Sequence, residues 1–141
     1  MASKKDACWD GCPIRFGLGT FGDKWTLLVV RDLMFRGKKH YGEFTDPVEA
    51  ISTNILADRL EKLQANGIVE KNRDPDNKAR FVYSLTDKGM DLLPIMLAMI
   101  EWSAKYDDNT EVPPEFLREL KRDRQGLIKR IRAGEATAPT D

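Results

Sequence analysis

Apolar residues first take up a regular helical spacing after Asp23. They recur at the 3.6-residue interval of an amphipathic helix. The members of this set are Trp25, Leu28, Val29, Leu33 and Met34. Asp23 is a natural N-cap for such a helix, and Gly37 is suited to end it. The pattern therefore predicts a helix between these two residues.

Two further helical segments follow, one short and one long. The apolar members of the short amphipathic turn are Tyr41, Phe44 and Val48. Pro47 prevents a longer helix there. The long segment opens at Ser52, a natural N-cap, and Gly67 suits its end. Its apolar residues are Ile55, Leu56, Leu60 and Leu63. Their spacing predicts a helix of about four turns.

The next two runs favour strands. Residues 68–73 and 79–85 are apolar-rich and β-prone, and a turn-forming cluster at residues 74–78 separates them. Together they predict a β-hairpin directly after the long helix. The predicted order up to this point is helix, short helix, longer helix and hairpin.

The segment after the hairpin predicts a helix over residues 87–106. Thr86 can cap it, and Pro94 should bend it. Its apolar residues cannot all face one small core, which indicates a partner helix. They include Leu92, Ile95, Met96, Met99 and Ile100.

A last amphipathic helix is predicted over residues 115–132, after a polar break at residues 107–114. Its apolar side carries Leu117, Leu120, Leu127, Ile128 and Ile131. Seven Lys and Arg against three Asp and Glu give this helix a local charge of +4. We interpret the apolar stripe as bracing a dimer, with contact to DNA outside the half-site as the alternative. The tail at residues 136–141 is expected to be disordered.

Composition limits the function without defining it. The chain has 141 residues, the size of one domain, and its 23 Lys and Arg balance its 23 Asp and Glu. Any electrostatic case for nucleic acid must therefore be local. No apolar run is long enough to span a membrane, and the start lacks the apolar run of a signal peptide. We therefore expect a cytoplasmic protein with no membrane partner.

Catalytic motifs are absent from the sequence. It lacks the patterns of phosphate-binding loops, dinucleotide sites, zinc proteases and serine hydrolases. Two cysteines and one histidine argue against a disulfide scaffold or a zinc site. His40 is interpreted as a surface residue rather than a catalytic base. We therefore predict no enzyme, no cofactor and no metal.

The layout that remains is a helical core with one outwardly polar helix followed at once by a hairpin. This is the arrangement of a winged helix-turn-helix, an α+β and mostly helical fold. In that fold a recognition helix enters the major groove, and the wing touches the flanking backbone.

The helix after Ser52 supplies the candidate recognition residues. With its apolar residues turned inward, those left outside are Ser52, Thr53, Asn54, Ala57 and Asp58. Short polar side chains at a helix N-terminus reach base edges or phosphates without steric conflict. Asn54 is the best candidate for contact with adenine, whereas Ser52 and Thr53 suit phosphate. The alternative is that Ser52 and Thr53 only cap the helix.

Positive residues beside this helix extend the candidate interface. Those at the hairpin tip are Arg73, Lys78 and Arg80, and those before the short helix are Lys38 and Lys39. Residues 71–80 carry a local charge of +2, which suits phosphate contact. A solvated charged loop is the alternative. Arg59 lies away from the Asn54 face, and it either contacts phosphate or forms a salt bridge that orients the helix.

Several ordered motifs resemble one family. They are CPIRFGLGTFGDKWTLLVVRDL from Cys12, YGEF from Tyr41, ISTNILADRLEKLQANGIVEK from Ile51, FVYSLTDKGMDLLPIM from Phe81 and IEW from Ile100. Over about two thirds of the chain, from Cys12 to Tyr106, the sequence is similar to the HxlR-type winged-helix transcriptional regulators of bacteria, in the MarR-like superfamily. The resemblance implies a homodimer formed through the terminal helices, with sequence-specific DNA binding by the Ser52 helix and the wing.

The resemblance also divides the chain. Residues 1–11 are expected to form an N-terminal arm, and residues 12–106 the winged helix-turn-helix domain with a dimerisation helix. Residues 107–141 are expected to add an amphipathic helix and the short tail. Two features depart from the family pattern. The wing turn at residues 74–80 is longer than usual, and residues 107–141 extend beyond the common core.

Cys12 is the candidate sensing residue. Pro13 fits the first helical position and so places Cys12 at the N-cap, where the helix dipole and free N–H groups favour a thiolate. Some relatives use a cysteine at this position to sense quinones, aldehydes or oxidants. The resemblance therefore implies a redox or electrophile switch, with Cys8 as the resolving thiol. The alternative is a small buried cysteine that only packs.

Other functions stay open. The alternatives to a thiol-sensing regulator are a regulator that responds to a ligand without thiol chemistry and a winged-helix protein-interaction module. Trp9, Trp25 and Trp102 either line a pocket for an aromatic effector or, as we favour, pack in the core. The candidate partners are a double-stranded DNA operator, a second copy of the chain, and a small electrophile or aromatic effector.

Overall fold

Helices and one antiparallel hairpin make up residues 11–135, the part of the chain that a computed structural model describes. The elements are α1 (Pro13–Phe21), α2 (Lys24–Phe35), a 3₁₀ helix (Tyr41–Phe44), α3 (Thr53–Ala65), β1 (Val69–Arg73), β2 (Phe81–Leu85), α4 (Asp87–Met90), α5 (Leu93–Tyr106), α6 (Pro114–Arg122) and α7 (Arg124–Arg132). The α+β composition and the order of elements from α2 to the hairpin confirm the prediction, and α1 precedes them. None of the helices in this range is long and apolar enough to cross a membrane.

Three helices begin at their predicted capping residues. Asp23 Oδ2 accepts two hydrogen bonds, each of 3.1 Å, from backbone N–H groups in the first turn of α2. The Ser52 hydroxyl accepts one of 3.2 Å from the first turn of α3. The Thr86 hydroxyl accepts one of 3.1 Å in α4. Each cap lies two or three residues from its donor, so the sequence alone is enough to locate it.

The β1–β2 hairpin forms the wing. Its register pairs Arg73 with Phe81 next to the tip. On β2, the Tyr83 N–H donates a hydrogen bond of 2.8 Å to the carbonyl of Lys39. The segment that leads into the 3₁₀ helix is therefore attached to the wing by its backbone.

A first core lies between α2, α3 and the hairpin. Its buried members are Val29, Val30, Phe44, Leu56, Leu60, Leu63, Ile68, Val69, Tyr83 and Leu92. The inward faces predicted for α2 and α3 supply several of these residues. The helical period therefore located the part of this core that α2 and α3 supply.

Val48 is an exception to the predicted pattern. It is 92% exposed, so the prediction that it joins Tyr41 and Phe44 on one apolar turn is wrong. The 3₁₀ helix ends at Phe44, and Asp46 then closes a tight turn. The Asp46 side chain accepts a hydrogen bond of 2.7 Å from the Val48 N–H, and its carbonyl accepts one of 2.8 Å from the Ala50 N–H.

A second core lies between α5 and the α6–α7 pair. Its buried members are Phe35, Leu93, Met96, Leu97, Phe116, Leu120, Leu127 and Ile131. The apolar stripe of the last two helices is therefore buried within its own chain. Its burial does not require the dimer contact that was predicted for it.

Two predicted helices are each divided in two. Residues 87–106 form α4 and α5, and Pro94 lies in the first turn of α5 rather than at a bend. A proline in a first turn removes no intrahelical hydrogen bond. The last predicted helix breaks at Asp123, whose backbone is extended (φ −150°, ψ 76°). The Asp123 side chain caps α7 by accepting a hydrogen bond of 3.0 Å from the Gly126 N–H.

One face of α5 stays exposed. Ile95, Met99, Trp102 and Tyr106 lie there and are 40% to 66% exposed. This confirms that the apolar residues of the helix do not all face one core. The prediction that Trp102 packs in the core is wrong for the single chain. Trp25 is half-buried, and Trp9 lies outside the described residues.

Ala50 supplies a test of backbone strain. Its φ is 57°, a conformation in which an L side chain is strained and glycine is not. We expect Ala50→Gly to raise the free energy of unfolding by about 0.5–1 kcal/mol in urea denaturation. The same change at Ala98, in α5, is the control and should lower it by about 1 kcal/mol. Destabilisation at both positions would contradict strain at Ala50.

Candidate nucleic-acid interface

The N-terminal half of α3 is the first part of the candidate interface. Its exposed residues are Ser52, Thr53, Asn54 and Ala57. The opposite side of the helix is buried in the first core. The Tyr41 hydroxyl donates a hydrogen bond of 2.8 Å to the Thr53 carbonyl, so the 3₁₀ helix supports this turn. Asp58, predicted to lie outside with the others, is half-buried.

The cap bond of Ser52 uses only part of its hydroxyl. The oxygen accepts from the Ile55 N–H, and the hydroxyl proton is not involved in that bond. Capping, one of the two alternatives for Ser52, is therefore confirmed. It remains compatible with donation to a phosphate.

Arg59 holds α3 against the start of α2. Its Nε and Nη2 lie 2.6 Å and 3.1 Å from the two carboxylate oxygens of Asp23, and its Nη1 contacts Asp58. This geometry supports the salt bridge of the two roles considered for Arg59. The hydrogen bond from Arg59 is the main reason that the pKa of Asp23 lies well below its usual range.

Asp58 is occupied by neighbouring cations. Its carboxylate lies 3.2 Å from Lys62 Nζ and also contacts Arg59. The hydrogen bond from Lys62 is the largest cause that lowers the pKa of Asp58. The negative charge on this side of α3 is therefore compensated within the chain, which reduces repulsion of a phosphate backbone.

The turn before α3 is tied to α2 by a second ion pair. Arg31 Nη1 and Nη2 each lie 2.7 Å from one oxygen of Glu49, and Arg31 also contacts the buried Asp32. Hydrogen bonding and charge from Arg31 lower the pKa of Glu49. A two-pronged pair of this kind fixes orientation as well as position. The two residues are 18 positions apart, so no local pattern predicts this pair.

The two lysines predicted before the short helix have different surroundings. Lys38 Nζ lies 3.5 Å from Asp32 Oδ2, in the same cluster as Arg31. Lys39 is exposed, and its backbone carbonyl holds β2. Of the two, Lys39 has the more accessible charge.

Asp74 organises the wing tip from a nearly buried position. Arg80 Nε lies 2.7 Å from Asp74 Oδ2, and His40 Nε2 lies 3.0 Å from the same oxygen. The Asp76 N–H donates a hydrogen bond of 2.9 Å to Asp74 Oδ1. The hydrogen bond from the Asp76 N–H, with those from His40 and Arg80, lowers the pKa of Asp74 to about 2. The carboxylate therefore fixes the path of the turn.

His40 connects this tip to the 3₁₀ helix. Its Nδ1 lies 2.9 Å from Glu43 Oε1 while its Nε2 contacts Asp74. His40 is partly exposed rather than freely solvated, because its side chain is 19% exposed and bridges two carboxylates. Its partner Asp74 is 34 residues away, so no local pattern could have revealed the contact.

The wing tip is positively charged, but two of its cationic side chains contact other groups of the same chain. The Arg73 guanidinium stacks on the Phe81 ring, with Cζ 4.5 Å from the ring centroid. It also donates a hydrogen bond of 3.0 Å to the Lys78 carbonyl. Arg80 is paired with Asp74, yet its side chain is 53% exposed. Lys78 is exposed at the turn. The predicted tip residues thus lie together, with Lys78 and Arg80 the most accessible to a phosphate.

Cys12 lies at the N-cap of α1, as predicted, with Pro13 in the first turn. The side chain is half-buried. Cys8 lies outside the described residues. Within residues 11–135, no group of three His, Cys, Asp or Glu side chains is arranged to hold a metal ion.

Comparison with known proteins identifies the arrangement. The family described as HxlR-like helix-turn-helix matches residues 20–111. The HTH-type transcriptional regulator YodB of Bacillus subtilis is 32% identical over 96 residues, which are 67% of this chain and 85% of YodB. Of the described residues, 11–19 precede the matched family region and 112–135 follow it.

Two solved structures share the fold. Quinone-bound YodB from B. subtilis superposes with a TM-score of 0.56 at 31% identity, covering 67% of this chain and 100% of that one. The redox regulator HypR in its oxidised form superposes with a TM-score of 0.57 at 34% identity, covering 72% of this chain and 100% of that one. Both superpositions support the predicted winged-helix fold.

The dual role of Asp23 generates a stability prediction. Asp23→Ala removes the cap of α2 and the partner of Arg59 together, and should lower the free energy of unfolding by about 1–2 kcal/mol at pH 7. Asp23→Asn keeps a cap oxygen and should lower it by less, as measured in urea. Equal destabilisation by the two changes would contradict a capping contribution.

The same variants carry a pH dependence. Because folding lowers the pKa of Asp23, the stability that its charge supplies is present above its ordinary value near 4 and is lost as pH falls below that. The difference between the parent and Asp23→Asn should therefore shrink at pH 3. A difference that stays constant from pH 7 to pH 3 would argue against the ion pair.

Proposed function

The chain belongs to the HxlR-like helix-turn-helix family of transcriptional regulators, and from this premise we propose that it binds a specific double-stranded DNA operator as a homodimer in the cytoplasm. The observation that carries the proposal is the exposed polar N-terminus of α3, held in place by Arg59, in a chain whose wing tip is cationic. The chain then acts by binding, and no catalytic role is assigned to it.

In this proposal α3 enters the major groove. The Asn54 amide pairs with an adenine edge, and Ser52 and Thr53 donate to phosphate oxygens. Ala57 and Asp58 lie along the same surface. The wing contacts the flanking DNA backbone through its cations. Its cations are Arg73, Lys78 and Arg80, and Lys38 and Lys39 add charge beside them.

The second copy of the chain is proposed to cover exposed apolar residues on α1 and α5. Ile14 and Leu18 of α1 are 71% and 62% exposed, and Trp102 of α5 is 66% exposed. Exposed apolar area on this scale is typical of an association surface. A twofold dimer would place two α3 helices about 34 Å apart, one turn of DNA, on a roughly palindromic site.

Replacing Asn54 tests base readout. With a duplex selected by the parent chain from a randomised pool, Asn54→Ala should weaken binding about tenfold or more and relax preference at one position of each half-site. Fluorescence anisotropy with single-position duplex variants measures both effects. Retained preference at every position would contradict the assigned role of Asn54.

Replacing Lys78 tests backbone contact at the wing. Lys78→Ala should weaken binding to all duplexes alike and reduce the slope of log K against log salt by about 1 for each subunit. Lys129→Ala on α7 is the matched control and should leave the slope unchanged. Equal slopes for the parent and Lys78→Ala would remove the wing from the interface.

A thiol response is the second component of the proposed function. It is supported by the half-buried position of Cys12 at the N-cap of α1 and by similarity to a redox regulator and to a protein solved with bound quinone. A Cys12 thiolate would add to a quinone ring carbon. The new S–C bond forms as the ring takes up the electron pair, and proton transfer leaves a hydroquinone thioether with no further oxidant.

Cys12→Ser tests this response. A quinone should weaken operator binding by the parent at least about fivefold and should leave the Cys12→Ser protein within about twofold of its untreated value. Cys8→Ser is the matched control for adduct formation and should respond like the parent. Mild oxidation with diamide should give a covalent dimer on a non-reducing gel if Cys8 is the resolving thiol. A Cys12→Ser protein that responds as strongly as the parent would refute thiol sensing.

A regulator that responds to a bound ligand without thiol chemistry is a second candidate. A cavity between α2 and α5 favours this second candidate.

A further inference from the structure

The His40 ring lies between two carboxylates that come from different parts of the chain. Its Nδ1 lies 2.9 Å from Glu43 Oε1, in the 3₁₀ helix, and its Nε2 lies 3.0 Å from Asp74 Oδ2, in the wing. A neutral imidazole donates one hydrogen bond, because its second nitrogen carries a lone pair, whereas an imidazolium donates from both nitrogens. The observed geometry therefore fits the protonated form of His40.

Hydrogen bonds hold both carboxylates in place against the ring. Glu43 Oε1 also accepts hydrogen bonds of 3.2 Å and 2.9 Å from the backbone N–H groups of Lys39 and His40. Asp74 Oδ2 lies 2.7 Å from Arg80 Nε, and Asp74 Oδ1 accepts a backbone hydrogen bond within the turn. Loss of the ring proton therefore leaves a nitrogen lone pair facing a fixed carboxylate oxygen. That contact is then lost, and the carboxylate loses a charged donor.

The two carboxylates keep their charge across the neutral pH range. Backbone hydrogen bonds are the largest cause that lowers the pKa of Glu43. The hydrogen bond from the Asp76 N–H is the largest of several that lower the pKa of Asp74 to about 2. Histidine, by contrast, is the residue type that ordinarily changes its charge between about pH 5 and pH 8. The chain has a single histidine, so a histidine titration of this protein reports His40 alone.

The elements around the ring carry further titratable groups. They are Lys39, Tyr41, Lys71, Asp76, Arg80 and Tyr83. These residue types ordinarily change charge near about pH 4, or at about pH 10 and above, and burial raises the pKa of Tyr83. Lys38, which also precedes the ring, is paired with the buried Asp32. A change in the charge of this region near neutral pH is therefore assigned to His40.

His40 links the wing tip, residues 74–80, to the body of the domain. Among the described residues, the side-chain hydrogen bonds and ion pairs of the tip stay within the hairpin, apart from the contact with His40. The tip carries Lys78 and Arg80, the wing cations most accessible to a phosphate. The His40 contact therefore fixes the part of the wing that presents these charges.

We propose that protonated His40 is a positioning residue for operator binding, which holds the wing tip against the 3₁₀ helix and releases it on deprotonation. This inference rests on the proposed DNA-binding function. Deprotonation removes a contact that orders the tip and one positive charge beside the interface, and both losses weaken phosphate binding. Operator affinity therefore falls as pH rises, and by linkage the operator favours proton uptake by His40.

Anisotropy with the selected duplex at pH 6 and pH 8.5 tests this dependence on the reduced, untagged chain at constant ionic strength. The parent should bind at least about fivefold more weakly at pH 8.5. His40→Gln stays neutral and should bind at both pH values within about twofold of the parent at pH 8.5. His40→Arg keeps a charge that donates to both carboxylates, and should bind tightly at both pH values.

His40→Gln also serves as the control for the thiols and the amino terminus, which it retains. These groups ordinarily titrate above neutral pH. Equal binding by the parent at the two pH values would overturn the proposal, and so would a His40→Gln protein that is as pH-dependent as the parent.

Asp74→Asn separates positioning from direct contact of His40 with a phosphate. It removes the charge that the ring faces on the wing, so the ratio of affinities at the two pH values should fall to about twofold or less. Asp76→Asn is the matched control, because Asp76 contributes its backbone N–H to the turn, and it should keep the parent's ratio. Circular dichroism confirms that each variant is folded. Full pH dependence in Asp74→Asn would overturn the positioning role.

NMR separates failure of the His40 contact from failure of the DNA-binding function. The single histidine gives one Cε1–H resonance, and the Asp76 amide resonance should shift with pH at the same midpoint. The Gly126 amide, which donates to Asp123 at the start of α7, is the control and should not follow it. An Asp76 amide that is independent of His40 would overturn the positioning role. Coupled titration without specific DNA binding would overturn the DNA-binding function and leave the His40 contact with the wing standing.

Discussion

Asp23 makes two sets of contacts with one carboxylate, and the geometry of the proposed DNA-binding surface depends on both. It caps α2 through two backbone hydrogen bonds, and it holds Arg59 of α3 through two more. The start of one helix is thereby fixed to the side of the other. A recognition helix must present its N-terminus at a defined angle to the groove. The Arg59–Asp23 ion pair fixes the orientation of α3 relative to α2 and therefore this angle. Arg31 and Glu49 fix the adjoining turn in the same manner.

Helix α2 also joins the two cores. Leu27 and Met34 pack against both clusters, while Phe35 belongs to the second. The first core, which holds α3, and the second core, which holds α5, therefore share one supporting helix. Residues 113–135 lie entirely beyond the matched family region, and they contribute buried side chains to the second core.

Local signals in the sequence predicted most of the fold and part of the interface. Ser52 and Thr86 cap helices through bonds to residues three positions away, and Leu56, Leu60 and Leu63 follow the helical period into the core. Contacts between distant residues could not be predicted in this way. Arg59 contacts Asp23, 36 residues away, and His40 contacts Asp74, 34 residues away. From the sequence alone, Arg59 and His40 are equally compatible with solvated surface side chains. The break at Asp123 was missed because the apolar stripe continues through it.

The central claim is that α3 and the wing read a specific DNA sequence. The most direct measurement is selection of duplexes from a randomised pool by the reduced chain, followed by anisotropy on the enriched and a scrambled duplex across a salt series. The account predicts an enriched, roughly palindromic site whose binding survives at salt concentrations that release the scrambled duplex. Absence of enrichment, with equal binding of both duplexes that disappears together as salt rises, would contradict it.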